Sequence, residues 1–216
     1  MADRVKTRRY DSSARRQQAA ATRTRILVAA ADLFAAKGYA GTTVAEVARR
    51  ADVSVDTLYA SVGRKPEMLL AVHDTVLGSG APVPAEQRDY VVAIRETEGA
   101  RAKIELYAAA LGRLLPHAVP ISEALRVAGA TDEACRAVRH GLDERRARNM
   151  HLFAADLRAT GELRDDLTDD DVADLVWSMN SPAYYSALVR RGWSNDRYAG
   201  LLTDVWSRTL LTSPPG

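Results

Sequence analysis

Two short helices joined by a tight turn are marked out between residues 43 and 63, and this pattern constrains the fold more than any other. Thr43 followed three residues later by Glu46 predicts a capping box, the reciprocal side-chain arrangement that opens a helix. Asp52 and Val53 form the connection. Ser54 then caps the next helix, and Gly63 ends it. The segment predicts two consecutive helices of about two turns each.

A longer helix precedes this pair. Helical spacing begins near Thr22, and one face carries the apolar residues Ile26, Ala30, Leu33 and Phe34. Gly38 stops the helix as a C-cap glycine. Three helices, of which the second and third are joined by a three-residue turn, describe a helix-turn-helix unit that reads DNA. A fourth helix is predicted from residues 64–66 to Gly78.

The remainder of the chain also predicts helices. Residues 78–84, GSGAPVP, form a linker. Beyond them we expect helices near 85–97, 101–115, 119–130, 132–159, 169–191 and 195–211, with N-caps at Thr131, Thr168 and Ser194. Because Pro182 cannot continue a helix, the helix from 169 should kink or break at 180–182 and restart there. No strand alternation is visible, so the fold class is all-α.

Charge is distributed unevenly along the chain. Residues 1–66 carry 13 basic and 6 acidic side chains, a net charge of +7, whereas 67–216 carry 17 basic and 22 acidic ones, a net of −5. Such a basic front end indicates a polyanion partner for that segment. Residues 1–20 hold six of the basic side chains without apolar periodicity and read as a flexible basic arm. A solvated tail without a partner explains this arm equally well.

Several classes of protein are disfavoured. The single cysteine, Cys135, rules out an internal disulfide and suits a reducing cytoplasm. The longest uncharged run, 175–189, is too short to span a membrane. The histidines lack the spacing of a metal site, and no catalytic or cofactor-binding motif occurs. We therefore expect no enzyme, no metal and no cofactor. The charged run 143–148, DERRAR, is interpreted as a solvated helix face.

Residues 22–72 resemble the tetracycline-repressor-like (TetR) family of bacterial regulators. The matching pattern is LF…GY.GTTV..VA..A.VS..TLY..VG.K, which spans about 50 residues and is far more specific than a generic helix-turn-helix. The resemblance implies a cytoplasmic, dimeric transcription factor, usually a repressor. It also implies double-stranded operator DNA as a partner, a C-terminal helical bundle for dimerisation, and a small-molecule effector bound by that bundle. The implied domains are 1–20 (arm), 21–66 (DNA-binding) and 67–216 (ligand-sensing and dimerisation).

The resemblance also indicates how a helix without arginine or lysine binds a polyanion. In the family, neutral donors and helix termini hold the phosphates, and the corresponding residues here are Thr43, Thr57, Tyr59 and Lys65. Base edges are then left to the third helix. The complete set of candidate DNA-binding residues is Thr43, Ser54, Val55, Asp56, Thr57, Tyr59, Ala60, Ser61 and Lys65.

Asp56 has two interpretations. As the second residue after the Ser54 cap, it stabilises the N-terminus of its helix through the helix dipole. Alternatively, it accepts a hydrogen bond from the N4 amino group of a cytosine. The two roles are compatible, and the sequence alone does not choose between them.

The effector pocket and the dimer interface are implied by the resemblance and are not marked by a motif. Aromatic and polar residues that could line a pocket are Tyr107, His117, Met150, Phe153, Trp177, Asn180 and Tyr184, although such residues at helical spacing are also typical of a core. For the interface we expect the last two helices, with Leu188, Leu201, Val205 and Trp206 as contacts or core residues. The alternative function is a helical ligand-binding or partner-docking protein with weak, non-specific DNA contact.

Overall fold

The computed structural model describes residues 11–80 and 83–212, which form ten α-helices and one 3-10 turn at Ala85–Gln87. In chain order the helices are α1 (Asp11–Lys37), α2 (Val44–Arg50), α3 (Val55–Val62), α4 (Lys65–Leu77), α5 (Asp89–Glu96), α6 (Ala100–Ala128), α7 (Glu133–Arg158), α8 (Asp169–Met179), α9 (Pro182–Val189) and α10 (Asn195–Leu210). No strand forms in the described ranges, where Leu163 and Leu211 make one isolated antiparallel bridge. The predicted all-α class is confirmed.

The chain divides into two compact units, residues 1–72 and 73–216. The division falls inside α4, so that this helix contributes to both. In the first unit, α1 packs against α2 and α3. The apolar stripe predicted on α1 makes this contact, because Ile26, Ala30 and Phe34 are buried. This unit contains the three helices of the predicted helix-turn-helix.

The prediction of a flexible arm over residues 1–20 is wrong for residues 11–20. Helix α1 begins at Asp11, eleven residues before the predicted start at Thr22. Polar and alanine-rich residues continue the helix because alanine, arginine and glutamine have high helix propensity even without apolar periodicity. Residues 1–10 lie outside the described part of the chain.

In the second unit, α6 packs against α5, α7, α9 and α10. The core between these helices is rich in aromatic rings. Tyr107 of α6 stacks on Trp206 of α10 with ring centroids 5.9 Å apart, and it meets Phe153 of α7 at 4.9 Å. Trp206 is fully buried and belongs to the core of its own subunit, which removes it from the predicted interface contacts. Leu188, Leu201 and Val205 remain partly exposed.

The predicted pair of helices at 101–115 and 119–130 is wrong, because α6 runs without a break through both segments. Pro116 and Pro120 lie inside it and each removes one backbone hydrogen bond. The helix nevertheless continues because its other face is held by tertiary packing. Gly112 lies so close to α10 that a Cβ atom there would meet the Asn195 carbonyl oxygen at 3.2 Å and the Ala199 Cβ at 3.3 Å.

Of the three N-caps predicted beyond residue 84, two are confirmed and one is displaced. Thr168 and Asp171 form a second capping box, and Ser194 accepts a hydrogen bond from the Arg197 N–H. The cap of α7 is Asp132 instead of Thr131, because the Asp132 carboxylate reaches the N–H groups of Ala134 and Cys135. Among the described residues, no helix is both long and apolar enough to cross a bilayer.

Candidate DNA-binding helix and ligand cavity

Helix α3 is held in the first unit by its buried face and by its N-cap. Leu58 and Val62, one turn apart, are buried against the unit's core. The Ser54 hydroxyl accepts a hydrogen bond from the Thr57 N–H at 3.0 Å and so holds the start of the helix. The remaining face is open to solvent: Tyr59 is 46% and Val55 37% exposed. A rigid helix thus presents a mixed polar and apolar surface of the width that enters a major groove.

Most of the predicted DNA-binding residues share this exposed surface. The exposed residues are Thr43, Ser54, Val55, Asp56, Thr57, Tyr59 and Ala60, whereas Ser61 and Lys65 are half-buried. The Ser61 carbonyl oxygen accepts a hydrogen bond from the Arg23 guanidinium of α1. The Lys65 ammonium lies 4.0 Å from the centroid of the Tyr39 ring, a cation–π arrangement that orients it.

The start of α2 carries the capping box that the sequence predicts. The Glu46 carboxylate accepts hydrogen bonds from the Thr43 N–H at 2.9 Å and from Lys37 Nζ at 2.6 Å. These contacts, with that of Lys37 the strongest, lower the pKa of Glu46 to about 2. Lys37 neutralises the carboxylate, so the α2 N-terminus does not present a net negative charge beside the Thr43 hydroxyl.

Asp56 is not the cap of α3. Ser54 makes the capping hydrogen bond, and Asp56 is the second helical residue, with its side chain exposed. Within residues 11–80 and 83–212, its carboxylate has no hydrogen bond or ion pair. Its contribution to the helix is therefore the dipole interaction alone, roughly 0.3–1 kcal/mol at an exposed site. The carboxylate oxygens remain available as acceptors.

The predicted break between α8 and α9 is confirmed. Helix α8 ends at Met179, Ser181 caps α9 by accepting the Tyr184 N–H at 3.1 Å, and Pro182 occupies its first position. A break of this kind leaves backbone carbonyls without helical partners. The carbonyls of Trp177, Ser178 and Met179 accept hydrogen bonds from side chains here. The donors are Arg146, Ser181 and Tyr198, respectively.

Asn180, in the break itself, connects three helices. It is only 2% exposed, accepts a hydrogen bond from Arg146, and donates to the Tyr107 hydroxyl at 2.8 Å. Burial raises the pKa of Tyr107, which keeps this phenol protonated and able to donate to Met150 Sδ. Burial lowers the pKa of Arg146, although a guanidinium stays charged at neutral pH. The Arg146 side chain also lies over the Trp177 ring, 4.2 Å from its centroid.

A cavity of about 360 Å³ lies in the second unit beside this network. Of the residues predicted to line a pocket, four line it: Tyr107, Met150, Phe153 and Asn180. His117, Trp177 and Tyr184 lie elsewhere: His117 is exposed on α6, Trp177 packs under Arg146, and Tyr184 lies against the Tyr198 ring. The remaining walls come from the end of α4, from α5 and from the middle of α7.

A buried charge cluster at the cavity was missed by the sequence analysis. Arg145 and Arg146, interpreted there as part of a solvated face, are both half-buried and line the cavity. Arg145 forms two hydrogen bonds with the Asp74 carboxylate, at 3.1 and 2.5 Å. Burial opposes ionisation of Asp74, but His73 and Arg145 outweigh it and hold its pKa below the usual value. Only the pairing of Asp74 with a residue 71 positions away reveals this cluster, and no local sequence pattern encodes that distance.

These features define a class: a helix-turn-helix protein whose second, helical unit encloses a cavity of the size of a small organic ligand. Residues 26–72 match the family of bacterial regulatory proteins, tetR family. This segment is the DNA-binding domain of that family, as the sequence resemblance implied.

Solved structures share the fold over most of the chain. FadR from Bacillus subtilis, a transcriptional regulator in complex with stearoyl-CoA, is 15% identical, with a TM-score of 0.66 over 84% of this chain and 96% of that chain. NalD from Pseudomonas aeruginosa, the secondary repressor of the MexAB-OprM multidrug efflux pump, is 20% identical, with a TM-score of 0.65 over 89% and 98%. A SmeT–triclosan complex is 18% identical, with a TM-score of 0.62 over 91% and 96%. No curated protein sequence matches the chain significantly.

Proposed function

We propose that this regulator is a homodimeric, cytoplasmic repressor that binds a pseudo-palindromic operator and responds to a small molecule held in its cavity. The observation that carries the proposal is the combination of an exposed, capped α3 in one unit with a partly apolar cavity of about 360 Å³ in the other. Related folds in complex with stearoyl-CoA and with triclosan support ligand sensing, and the repressor NalD supports repression.

For DNA contact, we assign phosphates to Thr43, Thr57, Tyr59 and Lys65. Phosphate contacts from hydroxyl groups and a single ammonium fix the position of the protein on the DNA, but they do not distinguish one base sequence from another. Base edges are assigned to Val55, Asp56 and Ala60 on the exposed face of α3, with Ser61 at its half-buried margin and Ser54 at the cap. The long-range attraction comes from basic side chains outside α3, such as the exposed Arg49 and Arg64.

Replacing Asp56 by alanine should relax the preference for one base pair by about 1–3 kcal/mol, because a carboxylate accepts from cytosine N4 and repels other bases. Tyr59→Phe is the matched comparison: loss of a phosphate contact should weaken binding to every sequence to a similar extent. Binding to a library of operator variants, one base pair changed at a time, measures both. If Asp56→Ala keeps the base preferences of the parent and changes thermal stability alone, the base-reading role is wrong.

In this proposal, helix α4 couples ligand binding in the cavity to DNA binding. Its last residues, His73 and Leu77, line the cavity, whereas its first residue, Lys65, is a proposed phosphate contact. A ligand that favours one position of the α4 C-terminal end changes the energy of the DNA-binding arrangement at the other end of the same helix. The expected coupling is that of ordinary allosteric proteins, about 1–3 kcal/mol.

Selection of genomic fragments by the purified protein, followed by footprinting, tests the proposal. We expect protection of two half-sites whose centres are roughly 34–36 Å apart or somewhat more, since each subunit of a dimer places one α3 in a major groove. A protein that stays monomeric at micromolar concentration contradicts the dimer. Equal affinity for selected and random DNA would favour the alternative, a ligand-binding or docking protein with non-specific DNA contact.

A further inference from the structure

One end of the cavity holds more positive charge than its carboxylate can neutralise. Both oxygens of Asp74 are engaged by Arg145, at 3.1 and 2.5 Å. Arg88 lies against the same carboxylate, but its Nη2 is 3.6 Å from Oδ1, which is beyond hydrogen-bond distance. Two guanidinium groups therefore share one carboxylate, and Arg88 is the weaker partner.

Arg88 is also the more deeply buried of the two. Its exposure is 4%, and its Nε–H has no hydrogen-bond acceptor in the described part of the chain. The neighbouring His73 is 8% exposed, and its Nδ1 lies 3.6 Å from Asp74 Oδ1, also beyond hydrogen-bond distance. Leaving a buried guanidinium without a close acceptor is costly, so an anionic group that reaches Arg88 from the cavity would stabilise it.

The larger part of the remaining wall is apolar, although some polar side chains also line it. It is formed mainly by Leu77, Tyr90, Val91, Ile94, Leu111 and Phe153. We propose that the cavity binds a small amphipathic carboxylate, whose head group is held by Arg88 and whose apolar body lies against these side chains. The inference rests on the proposed ligand-sensing function and specifies its ligand. A guanidinium suits a carboxylate because its planar fork offers two parallel N–H donors.

A cationic ligand fits this wall less well, because the acidic side chains that line it already have partners. The Asp156 carboxylate is 3.0 Å from Lys103 Nζ, and Asp143 lies 3.7 Å from Arg139. Glu86 is exposed to solvent. A cation would therefore meet Arg88, Arg145 and Arg146, whereas Asp143 and Asp156 already lie within ion-pair distance of basic side chains.

The size of the cavity limits the body of the ligand. About 360 Å³ corresponds to the bulk volume of roughly twelve water molecules and lies toward the small end of the range for ligand pockets. A single ring with a short alkyl chain is of this order. Suitable probes share one body and differ only in the head group: 4-butylbenzoate, 4-butylbenzyl alcohol and 4-butylbenzylamine.

Calorimetric titration of the full chain with the three probes, in the absence of DNA, tests the proposal. The carboxylate should bind at least about 10-fold more tightly than the alcohol or the amine, the effect of one hydrogen-bonded charge pair. In the Arg88→Met variant, the carboxylate should lose about 10- to 100-fold in affinity, whereas the alcohol should stay within about twofold. Arg126→Met removes an exposed arginine paired with Glu123 and should change none of these affinities.

Arg88→Lys covers the possibility that the methionine variant does not fold, because lysine keeps the charge but lacks the planar fork. It should weaken carboxylate binding by about 10-fold and leave the alcohol unchanged. Equal binding of acid and alcohol by the parent protein, binding of none of the three probes, or a preference unaffected by the Arg88 variants overturns the proposal. Because these titrations contain no DNA, a carboxylate that binds through Arg88 without altering operator affinity would contradict the proposed function and leave the ligand class intact.

Discussion

Replacement of Asp74 by asparagine should destabilise the second unit by about 3 kcal/mol. Asparagine keeps the shape of the side chain but removes the charge that Arg145 and the buried Arg88 face. Breaking a buried ion pair on one side typically costs 3–5 kcal/mol because the other charge stays buried. The lower end applies here, since Arg145 is partly exposed.

The same variant should change the response to acid. The pKa of Asp74 is lower in the folded protein than in the unfolded chain, so the ionised carboxylate contributes stability at neutral pH. This contribution is lost as the pH falls below the ordinary aspartate range and through the folded-state pKa. Asp74→Asn has no such group, and its stability should fall less steeply in that window.

Denaturant unfolding of the second unit, followed at neutral pH and at several acidic values, measures both effects. Glu123→Gln removes the carboxylate of an exposed pair with Arg126 and should leave the unfolding midpoint nearly unchanged. If Asp74→Asn is as stable as the parent at neutral pH, the charges of Arg88 and Arg145 are stabilised by solvent and not by the Asp74 carboxylate.

Trp206→Ala should cost about 3–5 kcal/mol, the range for removing a large aromatic side chain from a packed core. Trp206 is fully buried and stacks on Tyr107, which lines the cavity. Its removal therefore takes away the support of one cavity wall as well as apolar contact. We expect a lower melting temperature together with weaker binding of any ligand that contacts Tyr107.

Trp193→Ala is the matched control. Trp193 is half-buried and its ring lies under the Arg197 guanidinium, 3.8 Å from the centroid. An exposed cation–π pair contributes roughly 0.5–1 kcal/mol, so this variant should lose little. Thermal unfolding combined with sedimentation distinguishes a role of Trp206 in the subunit core from a role in a subunit interface. If Trp206→Ala is a stably folded monomer, Trp206 lies in a subunit interface and its assignment to the core is wrong.

The local signals of the sequence determined most helix ends correctly. Caps are predictable because a cap is satisfied within four residues of chain, without help from the rest of the fold. The caps predicted in this way are Thr43 with Glu46, Ser54, Gly63, Thr168 and Ser194. The break at Pro182 was predictable for the same reason, since a proline loses its own backbone hydrogen bond wherever it occurs. The family pattern in residues 22–72 likewise consists of neighbouring residues.

What only the tertiary structure decided involves residues far apart in the chain. Pro116 and Pro120 stay inside α6 because the close approach of Gly112 to α10 holds the helix, which outweighs the local preference to stop. Arg145 and Arg146 look solvated in a charged run, yet they turn inward because Asp74 and Asn180 accept from them across 71 and 34 positions. Burial and pairing over such distances depend on which helices pack together, and a local pattern of charged residues carries no information about that packing.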